Sequence, residues 1–245
     1  PRGGWRFLAD STLDWGQDLG GLSRYLRAAG SPEVVLAHYG CLIPEAAGFP
    51  FQDLFSSEVW EPDGHVNSDE PAGEKLAASV TCLQGVYSRA FFGANPLEWL
   101  KEREPEAVLG HTIRVYDITR DARAHEWLAH TYLVAGQWAP ARREIRRALR
   151  LDPGSRWAML MAALAARGLE EETRAFEAAA QSPDFGVPWA EAMRGSRARL
   201  WYGRSLEGIR ADALRRGRTL LAARADAALL RIASAAHLAE GRQAQ

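Results

Sequence analysis

Residues 122–153 read ARAHEWLAHTYLVAGQWAPARREIRRALRLDP, and this stretch decides the fold of the second half of the chain. The small side chains of Ala129 and Ala148 let two antiparallel helices approach closely, and Gly136 supplies the turn between them. Pro153 cannot continue a helix and therefore closes the second one. The stretch predicts a pair of closely packed antiparallel helices.

The same stretch carries the spacing of a tetratricopeptide-type repeat, which combines small, aromatic and bulky apolar positions with a closing proline. The matching residues are Leu128, Ala129, Tyr132, Gly136, Ala141, Ile145, Ala148 and Pro153. We predict one repeat over residues 122–153 and a degenerate second one over 154–183. Two or three helices over 188–245 would then cap the array, since stacked repeats need a terminal cap.

The first 120 residues show the pattern of a mixed α/β structure. Short apolar runs predict strands at Trp5–Ala9, Val34–Ala37, Leu76–Val80 and Ile113–Ile118, and the alternation within the last run is typical of a half-buried strand. Leucines at helical spacing predict a helix between the first two strands, with Asp14 and Gln17 as its capping box. The first two strands should therefore lie parallel.

The predicted fold class follows from these two halves. Residues 1–120 would form an α/β module with a small mixed, partly parallel sheet and flanking helices. Residues 121–245 would form an all-α module of tetratricopeptide-like helical repeats with C-terminal capping helices. The stretch from Tyr39 to Gly73 is rich in glycine and proline and predicts a long irregular loop.

Composition excludes several classes of protein. Of the 245 residues, 47% are hydrophobic and 25% are charged, which is ordinary for a globular chain and excludes general disorder. The net charge of −1 argues against attraction of the whole molecule to nucleic acid or anionic lipid. The charge is uneven, with 10 basic and 17 acidic residues in 1–120 but 20 basic and 14 acidic residues in 121–245.

No apolar run reaches the length of about 20 residues that a membrane-spanning helix requires. The chain begins at Pro1, which we interpret as the start of a fragment or a processed chain, so an anchor upstream would not be visible. Cys41 and Cys82 lack metal-site spacing. They would be two buried thiols or, in an oxidising compartment, a disulfide.

Several segments of the first half, in order, resemble one known family. They are Asp10–Leu19 (DSTLDWGQDL), His38–Gly40, Ala78–Tyr87 (ASVTCLQGVY), Trp99–Leu100 with Pro105, and Gly110–Asp117 (GHTIRVYD). They are similar to the C-terminal extracytoplasmic region of polytopic membrane proteins of the lipid-carrier-dependent, mannosyltransferase-like glycosyltransferase type. The resemblance spans roughly residues 5–118.

The resemblance implies a location on the periplasmic or extracytoplasmic face of a bacterial membrane. It does not imply catalysis by this chain, because the sugar-transfer acid of that family lies among transmembrane helices. Association with the membrane would then pass through a partner or an upstream anchor.

Asp10, Asp14 and Asp18 are spaced by four residues and could form a polar or cation-binding site, since hard cations take carboxylate oxygens. They could also act as an acid/base pair. The alternative, which we favour, is structural: Asp10 ends a strand, Asp14 caps a helix and Asp18 lies in its first turn. Trp15 could stack on a sugar or belong to the core.

The run from Arg142 to Arg150 predicts a basic helix with Ile145, Ala148 and Leu149 inward and its arginines outward. That face would be solvated or would bind an acidic protein surface or anionic headgroups. Aromatic and arginine side chains dominate binding hot spots, so a partner would contact Trp138, Arg142, Arg146 and Arg150. Nucleic acid is not expected, because no aromatic residues interleave the arginines.

The histidines do not form a metal motif, because His125 and His130 are five residues apart rather than four. His38 and His111 flank strands that could be adjacent and could share a site. No nucleophile elbow, catalytic triad or phosphate loop is present. We therefore assign no catalytic residue, no metal and no cofactor.

These observations predict a non-catalytic scaffold or protein-interaction domain outside the membrane, as part of a membrane protein or as an extrinsic subunit of a membrane complex. One alternative is a glycan-handling or lipid-linked-sugar-handling domain that works through Asp10, Asp14 and Asp18. A second alternative is an accessory subunit of an electron-transfer or light-harvesting complex. The expected partner in the leading hypothesis is a protein, in a membrane complex.

Overall fold

The computed structural model describes residues 15–38, 44–55, 65–85, 88–165, 179 and 187–243. The strands are β1 (Glu33–Ala37), β2 (Gln52–Asp53), β3 (Glu74–Ser79), β4 (Ala107–Leu109) and β5 (Ile113–Asp117). The helices are α1 (Leu19–Ala28), α2 (Val80–Gln84), α3 (Ser88–Phe92), α4 (Ala122–Ala135), α5 (Trp138–Leu151), α6 (Arg156–Ala165), α7 (Trp189–Ala192), α8 (Ser196–Arg215) and α9 (Thr219–Gln243). Short 3₁₀ turns occur at Pro44–Ala47 and Glu98–Leu100.

The five strands form one mixed sheet in the order β2-β1-β3-β5-β4. The strands β2, β1 and β3 are parallel, whereas β5 runs antiparallel to both β3 and β4. The predicted strands at 34–37, 76–80 and 113–118 are confirmed within one or two residues at each end. The predicted strand at 5–9 lies outside the described residues.

Side chains alternate across the sheet, and both faces are covered. Val34 and Leu36 of β1 pack with Leu22 of α1 on one face. Val35 and Ala37 pack on the other face, in the core that continues into the helices. Because helices cover both faces, the expectation that strand 113–118 is half-buried is wrong, and Ile113 to Tyr116 are all buried.

The helix pair predicted over 122–153 is confirmed as α4 and α5, which fold back on one another at Gly136. Gly136 has φ +85°, the left-handed conformation that favours glycine at a helix end. Helix α6 packs on both members of the pair. The second helix predicted for the degenerate repeat lies outside the described residues except for Ala179. The prediction of two or three helices over residues 188–245 is confirmed by three in the described part of that range, α7, α8 and α9.

The hydrophobic core crosses the boundary predicted at residue 120. One continuous cluster contains Val35 and Leu76 of the sheet, Leu128 and Tyr132 of α4, and Trp157 of α6. The sheet and the helices therefore share a core. The division of the chain into two modules stays a prediction.

Two local expectations are wrong. Helix α1 begins at Leu19, with Asp18 as its N-cap residue, so Gln17 does not belong to a capping box and instead accepts a hydrogen bond from the Trp15 amide. The region predicted as an irregular loop contains the edge strand β2, whose Gln52 is buried. Among the described helices, none is both long and apolar enough to cross a membrane.

Candidate functional site

The carboxyl ends of the parallel strands β1 and β3 meet at one edge of the sheet, where ligands commonly bind in α/β folds. His38 follows β1 and Ser79 ends β3, and Ala37 lies opposite Ala78 in the register. The amide of Val80 donates to the carbonyl of Thr112, at 2.7 Å, just before β5 begins. Three of the five segments that carry the family resemblance therefore come together here.

Asp18 brings a fourth segment to the same edge. Its Oδ2 accepts hydrogen bonds from the amides of His111 and Thr112, at 3.0 and 3.1 Å, and from the Thr112 hydroxyl, at 2.8 Å. Gly110 has φ +53°, and a Cβ at that position would clash with the Asp18 carboxylate. The close approach thus requires glycine, and it ties the N-terminus of α1 to the start of β5.

This geometry changes the interpretation of Asp18, which we expected in the first turn of the helix. It is the N-cap residue but makes no side-chain bond to the helix itself, because its carboxylate is used by the loop before β5. Trp15, three residues before Asp18, is 51% exposed. Asp10 and Asp14 lie outside the described residues, so a polar or cation site formed by Asp10, Asp14 and Asp18 stays a prediction.

The expectation that His38 and His111 flank adjacent strands is wrong. Strand β3 lies between β1 and β5, so the two histidines are separated by the width of two strand pairings, about 10 Å. Within the described ranges, no group of three His, Cys, Asp or Glu side chains is placed to hold a metal ion. Cys82 is buried and Cys41 lies outside the described residues, so their state stays a prediction.

Replacing Asp18 by alanine is expected to lower the free energy of unfolding by about 2 kcal/mol, since hydrogen bonds to a charged acceptor contribute roughly 1.5–3 kcal/mol. Asp18→Asn keeps one acceptor oxygen and should lose about half as much. Urea unfolding followed by circular dichroism measures both variants. An alanine variant as stable as the parent would show that the bonds to residues 111 and 112 contribute nothing.

A second polar centre lies in the interior, between the sheet and the helix pair. We call it the buried ionic cluster, and its members are Glu74, His125, Arg143, Glu144 and Arg147. Glu74 begins β3, His125 lies in the first turn of α4, and the other three are on α5. Glu74, His125 and Glu144 have no exposed surface, and Arg143 is 1% exposed.

Arg143 bridges the two layers. Its Nη1 lies 2.5 Å from Oε1 of Glu74 and 2.7 Å from Oε1 of Glu144. Its Nε and Nη2 donate to the carbonyl of Ser68, at 3.0 and 2.9 Å. A single guanidinium therefore joins the sheet, the helix pair and the segment that precedes β3.

Neutral polar side chains complete this centre. Gln52 of the edge strand β2 donates from Nε2 to Glu144 and to the Tyr132 hydroxyl, both at 2.9 Å. The Gln52 side-chain oxygen accepts from the Asn67 amide, and the Asn67 side chain donates to Glu74 at 2.9 Å. The short strand β2 is thereby held by the same cluster.

The two carboxylates of the cluster differ in their partners. Glu144 accepts from Nδ1 of His125, at 2.7 Å, as well as from Arg143 and Gln52. Oε2 of Glu74 makes no hydrogen bond, and it lies 3.9 Å from Nε2 of His125 and 4.0 Å from Nε of Arg147. Donors therefore reach both oxygens of the Glu144 carboxylate but only one oxygen of the Glu74 carboxylate.

The pKa values follow that difference. Burial, followed by repulsion from Glu144, raises the pKa of Glu74. Burial opposes the charge of Glu144 as well, but the hydrogen bond from His125 and the charge of Arg143 outweigh it and lower the pKa of Glu144. Burial also disfavours the charge of Arg143, yet the two carboxylates outweigh it and raise the pKa of the guanidinium.

This cluster joins the sheet to the helix pair, and its members are buried. The sequence analysis did not identify it. A usable signal was present in α5: Glu144 has Ala141 and Ala148 three residues before and four after it, so it lies on the inward face. The partners on β2 and β3 are distant in sequence and carried no such signal.

The expectation that all arginines of α5 point outward is wrong for Arg143 and Arg147, which are buried. They are covered by the segment Asn67–Glu70 and by the end of β5, where Arg147 donates to the Thr119 carbonyl at 2.9 Å. Burial of arginine is tolerated because carboxylates and carbonyls receive its protons.

The predicted partner-binding residues do share one face, which we call the arginine face: Arg142, Arg146 and Arg150, with Trp138 at its start. The three arginines are exposed, and Trp138 is half-buried against the core. Arg146 forms a bidentate pair with Asp69, at 2.9 and 3.0 Å, and Arg150 lies 2.5 Å from Glu70. Part of the arginine face is thus already neutralised by the chain's own Asp69 and Glu70.

An aromatic cluster fills the space between α4, α6 and α8. Trp127, His130, Trp157 and Tyr202 contact one another ring to ring, and Trp157 donates to the Tyr202 hydroxyl at 3.0 Å. Burial lowers the pKa of His130 to about 4, so this histidine is neutral at physiological pH. The cluster explains why α8 packs on the helix pair, and a cavity of only about 30 Å³ remains beside it.

Searches of protein-family models, of curated proteins and of solved structures found no match to the chain.

Proposed function

We propose that this chain is a non-catalytic scaffold and protein-interaction domain that works on the outer face of a membrane. The observation that supports the proposal is the buried ion pairing of Arg143 with Glu74 of the sheet and Glu144 of the helix pair. The acidic and basic side chains of the buried ionic cluster are paired with one another. The arginine face of α5 is exposed, which suits binding.

In this proposal α4 and α5 are one tetratricopeptide-like repeat, α6 begins a second one, and α8 and α9 cap the array. The tight turn at Gly136 and the buried Ala129 and Ala148 at the contact of α4 with α5 support that assignment. Arrays of this kind offer extended surfaces to other proteins. The arginine face would be the contact surface for an acidic region of the partner.

The location rests on the resemblance of the first half to extracytoplasmic regions of mannosyltransferase-like membrane proteins. Four of its five segments are far apart in sequence, yet they meet at one edge of the sheet, where Asp18 and Val80 bond to Thr112. Segments that form one contiguous unit support a shared architecture better than scattered matches would. A periplasmic or extracytoplasmic position, reached through a partner or an anchor, is therefore part of the proposal.

Charge reversal of the arginine face tests the binding role. The variant Arg142→Glu, Arg146→Glu, Arg150→Glu is expected to recover at least about tenfold less partner from solubilised native membranes than the parent chain, because several hot-spot arginines are lost together. Recovery is measured by affinity capture and identification of the co-eluting chains. Unchanged recovery would refute the assignment of this face.

A matched control separates the arginines from the ion pairs that they form within the chain. Asp69→Asn with Glu70→Gln removes the acidic partners of Arg146 and Arg150 but keeps all three arginines. We expect this variant to recover as much partner as the parent chain, or more, because its guanidinium groups are no longer neutralised. An equal loss in both variants would assign the effect to the internal ion pairs and against a docking face.

A further inference from the structure

The arginine face is partly occupied by another part of the same chain. The occupant is the segment Asn67–Glu70, which we call the acidic segment. Arg146 donates two hydrogen bonds to the Asp69 carboxylate, at 2.9 and 3.0 Å, and Arg150 donates to Glu70 at 2.5 Å. Two of the three arginines of the face thus already hold carboxylates.

Contacts other than these two ion pairs hold the backbone of the acidic segment. The amide of Asn67 donates to the side-chain oxygen of Gln52 at 3.0 Å. Ser68 donates from its amide and its hydroxyl to Glu33, at 2.6 and 2.5 Å, and its carbonyl accepts from Arg143. The acidic segment therefore keeps its place when its two carboxylates leave their arginines.

Both ion pairs between the acidic segment and the arginine face are open to water. The side chains of Asp69 and Arg146 are 43% and 54% exposed, and those of Glu70 and Arg150 are 81% and 38% exposed. Exposed pairs of this kind add little to stability, because water and salt screen them and long side chains lose freedom. The two carboxylates therefore neutralise the face without being needed for the fold, and other carboxylates can take their place.

The spacing of the arginines specifies the carboxylates that fit them. Arg142, Arg146 and Arg150 follow one another at intervals of four residues, so neighbours along the helix are about 6 Å apart. In an extended chain, alternate side chains point to the same side and are about 6.6 Å apart. Arg142 is exposed and forms no ion pair within the described part of the chain, so it can receive a third carboxylate.

We propose that the acidic segment competes with the partner for the arginine face, and that the partner presents a stretch of extended chain with carboxylates on alternate residues. This inference rests on the proposed function, because it concerns the same face. The partner would displace Asp69 and Glu70 and would add a contact to Arg142. The apparent affinity is lowered by the fraction of time that the face is covered, so a partner with few carboxylates is rejected.

The acidic segment itself favours an extended partner over a helical one. Its four residues lie outside the helices and strands, and they still bring two carboxylates to the arginines. Chain without helical structure therefore fits beside α5 at this place. A partner that displaces the acidic segment would present its carboxylates in the same way.

A labelled synthetic peptide and the whole chain test the competition. The probe alternates glycine and glutamate and contains three glutamates, and its binding is followed by fluorescence anisotropy at low salt, where screening is weak. Asp69→Asn with Glu70→Gln, the uncovered variant, should bind it about 3- to 10-fold more tightly than the parent chain, because two exposed ion pairs no longer compete. Glu102→Gln with Glu104→Gln changes the net charge equally, at exposed positions before β4, and should bind like the parent chain. An equal gain in this control would overturn the proposal.

A second peptide tests the spacing. It has the same composition, but its three glutamates are consecutive, so only two of them point to the same side of an extended chain. The uncovered variant should bind it about threefold less tightly than the alternating peptide, since one exposed pair is lost. A third peptide, a helix with glutamates four residues apart, presents the other geometry. Tighter binding of the helical peptide than of the alternating one would overturn the extended partner.

An arginine variant separates this inference from the proposed function. Arg142→Gln with Arg146→Gln and Arg150→Gln should lose binding of the alternating peptide, and circular dichroism confirms that all variants are folded. If the parent chain and the uncovered variant bind equally and the arginine variant does not bind, the face binds acids and only this inference is wrong. If no chain binds the peptide in a way that depends on the arginines, the proposed contact surface is wrong and this inference with it.

Discussion

Replacing Arg143 by methionine is expected to lower the free energy of unfolding by about 3–5 kcal/mol at neutral pH. Methionine fills much of the same volume, so the loss comes from charge rather than from a cavity. Glu74 and Glu144 would both remain in a dry interior without their common counter-ion. The carbonyl of Ser68 would also lose its two donors from the guanidinium.

Chemical denaturation measures this change, and Arg142→Met is the matched control. Arg142 is the preceding residue on the same helix, and it is exposed, so its replacement should alter stability by less than about 0.5 kcal/mol. The Arg143 variant should also become less unstable as the pH falls, because protonation removes the uncompensated carboxylate charge. If the two variants were equally stable, the buried ionic cluster would not hold the sheet to the helices.

The sequence was sufficient to predict elements that depend on local pattern. Helices α4 and α5 follow from small residues at their contact, a glycine turn and a closing proline, all of which lie within one stretch of about thirty residues. The strands at 34–37 and 76–79 follow from short apolar runs. In each case the signal is local, since side-chain spacing reports directly on which face is buried.

The sequence was insufficient where burial depends on distant partners. The position of Arg143 in the helical pattern of α5 predicts a solvent-exposed side chain. Its burial is explained only by its contacts with Glu74 and Ser68. Strand β2 has two residues, too few for any periodicity, and is held by its register with β1. Charged residues are ordinarily exposed, so a buried arginine is identified only when its carboxylate partners are known.

The role of Asp18 shows the same limit at the other polar centre. The sequence predicts Asp18 in the first turn of the helix, whereas it is the N-cap residue. The sequence could not reveal that its carboxylate would bond to Thr112, more than ninety residues later. That contact depends on Gly110, whose conformation no local pattern requires.

Neutralising the two carboxylates of the buried ionic cluster is expected to change the free energy of unfolding by different amounts. Glu144→Gln should cost about 3 kcal/mol at neutral pH, because it breaks a buried ion pair and leaves one acceptor oxygen where His125 now uses one oxygen and Gln52 and Arg143 use the other. Glu74→Gln should change stability by less than about 1 kcal/mol. A glutamine there can still accept from Arg143 and Asn67 at Oε1, and Oε2 of Glu74 has no hydrogen-bond donor to lose.

The two glutamine variants are also expected to differ in how their stability changes with pH. The pKa of Glu144 is lowered on folding, so its charge contributes stability above the ordinary glutamate value of 4.5 that is lost as the pH falls through its folded pKa. The pKa of Glu74 is raised, so the folded protein loses stability as the pH rises from 4.5 through its folded pKa. Relative to the parent chain, Glu144→Gln should therefore lose stability with rising pH, and Glu74→Gln should gain it.

Urea unfolding of both variants across the acidic and neutral range measures the two slopes, and the double variant tests their common dependence on Arg143. In each single variant the guanidinium keeps one carboxylate, whereas in the double variant it has none and remains buried. The loss in the double variant should therefore exceed the sum of the single losses by about 1–3 kcal/mol. Additive losses in the free energy of unfolding, or pH slopes of the same sign, would contradict this prediction. They would mean that the two carboxylates do not share Arg143 as their counter-ion and that other contacts hold the sheet to the helices.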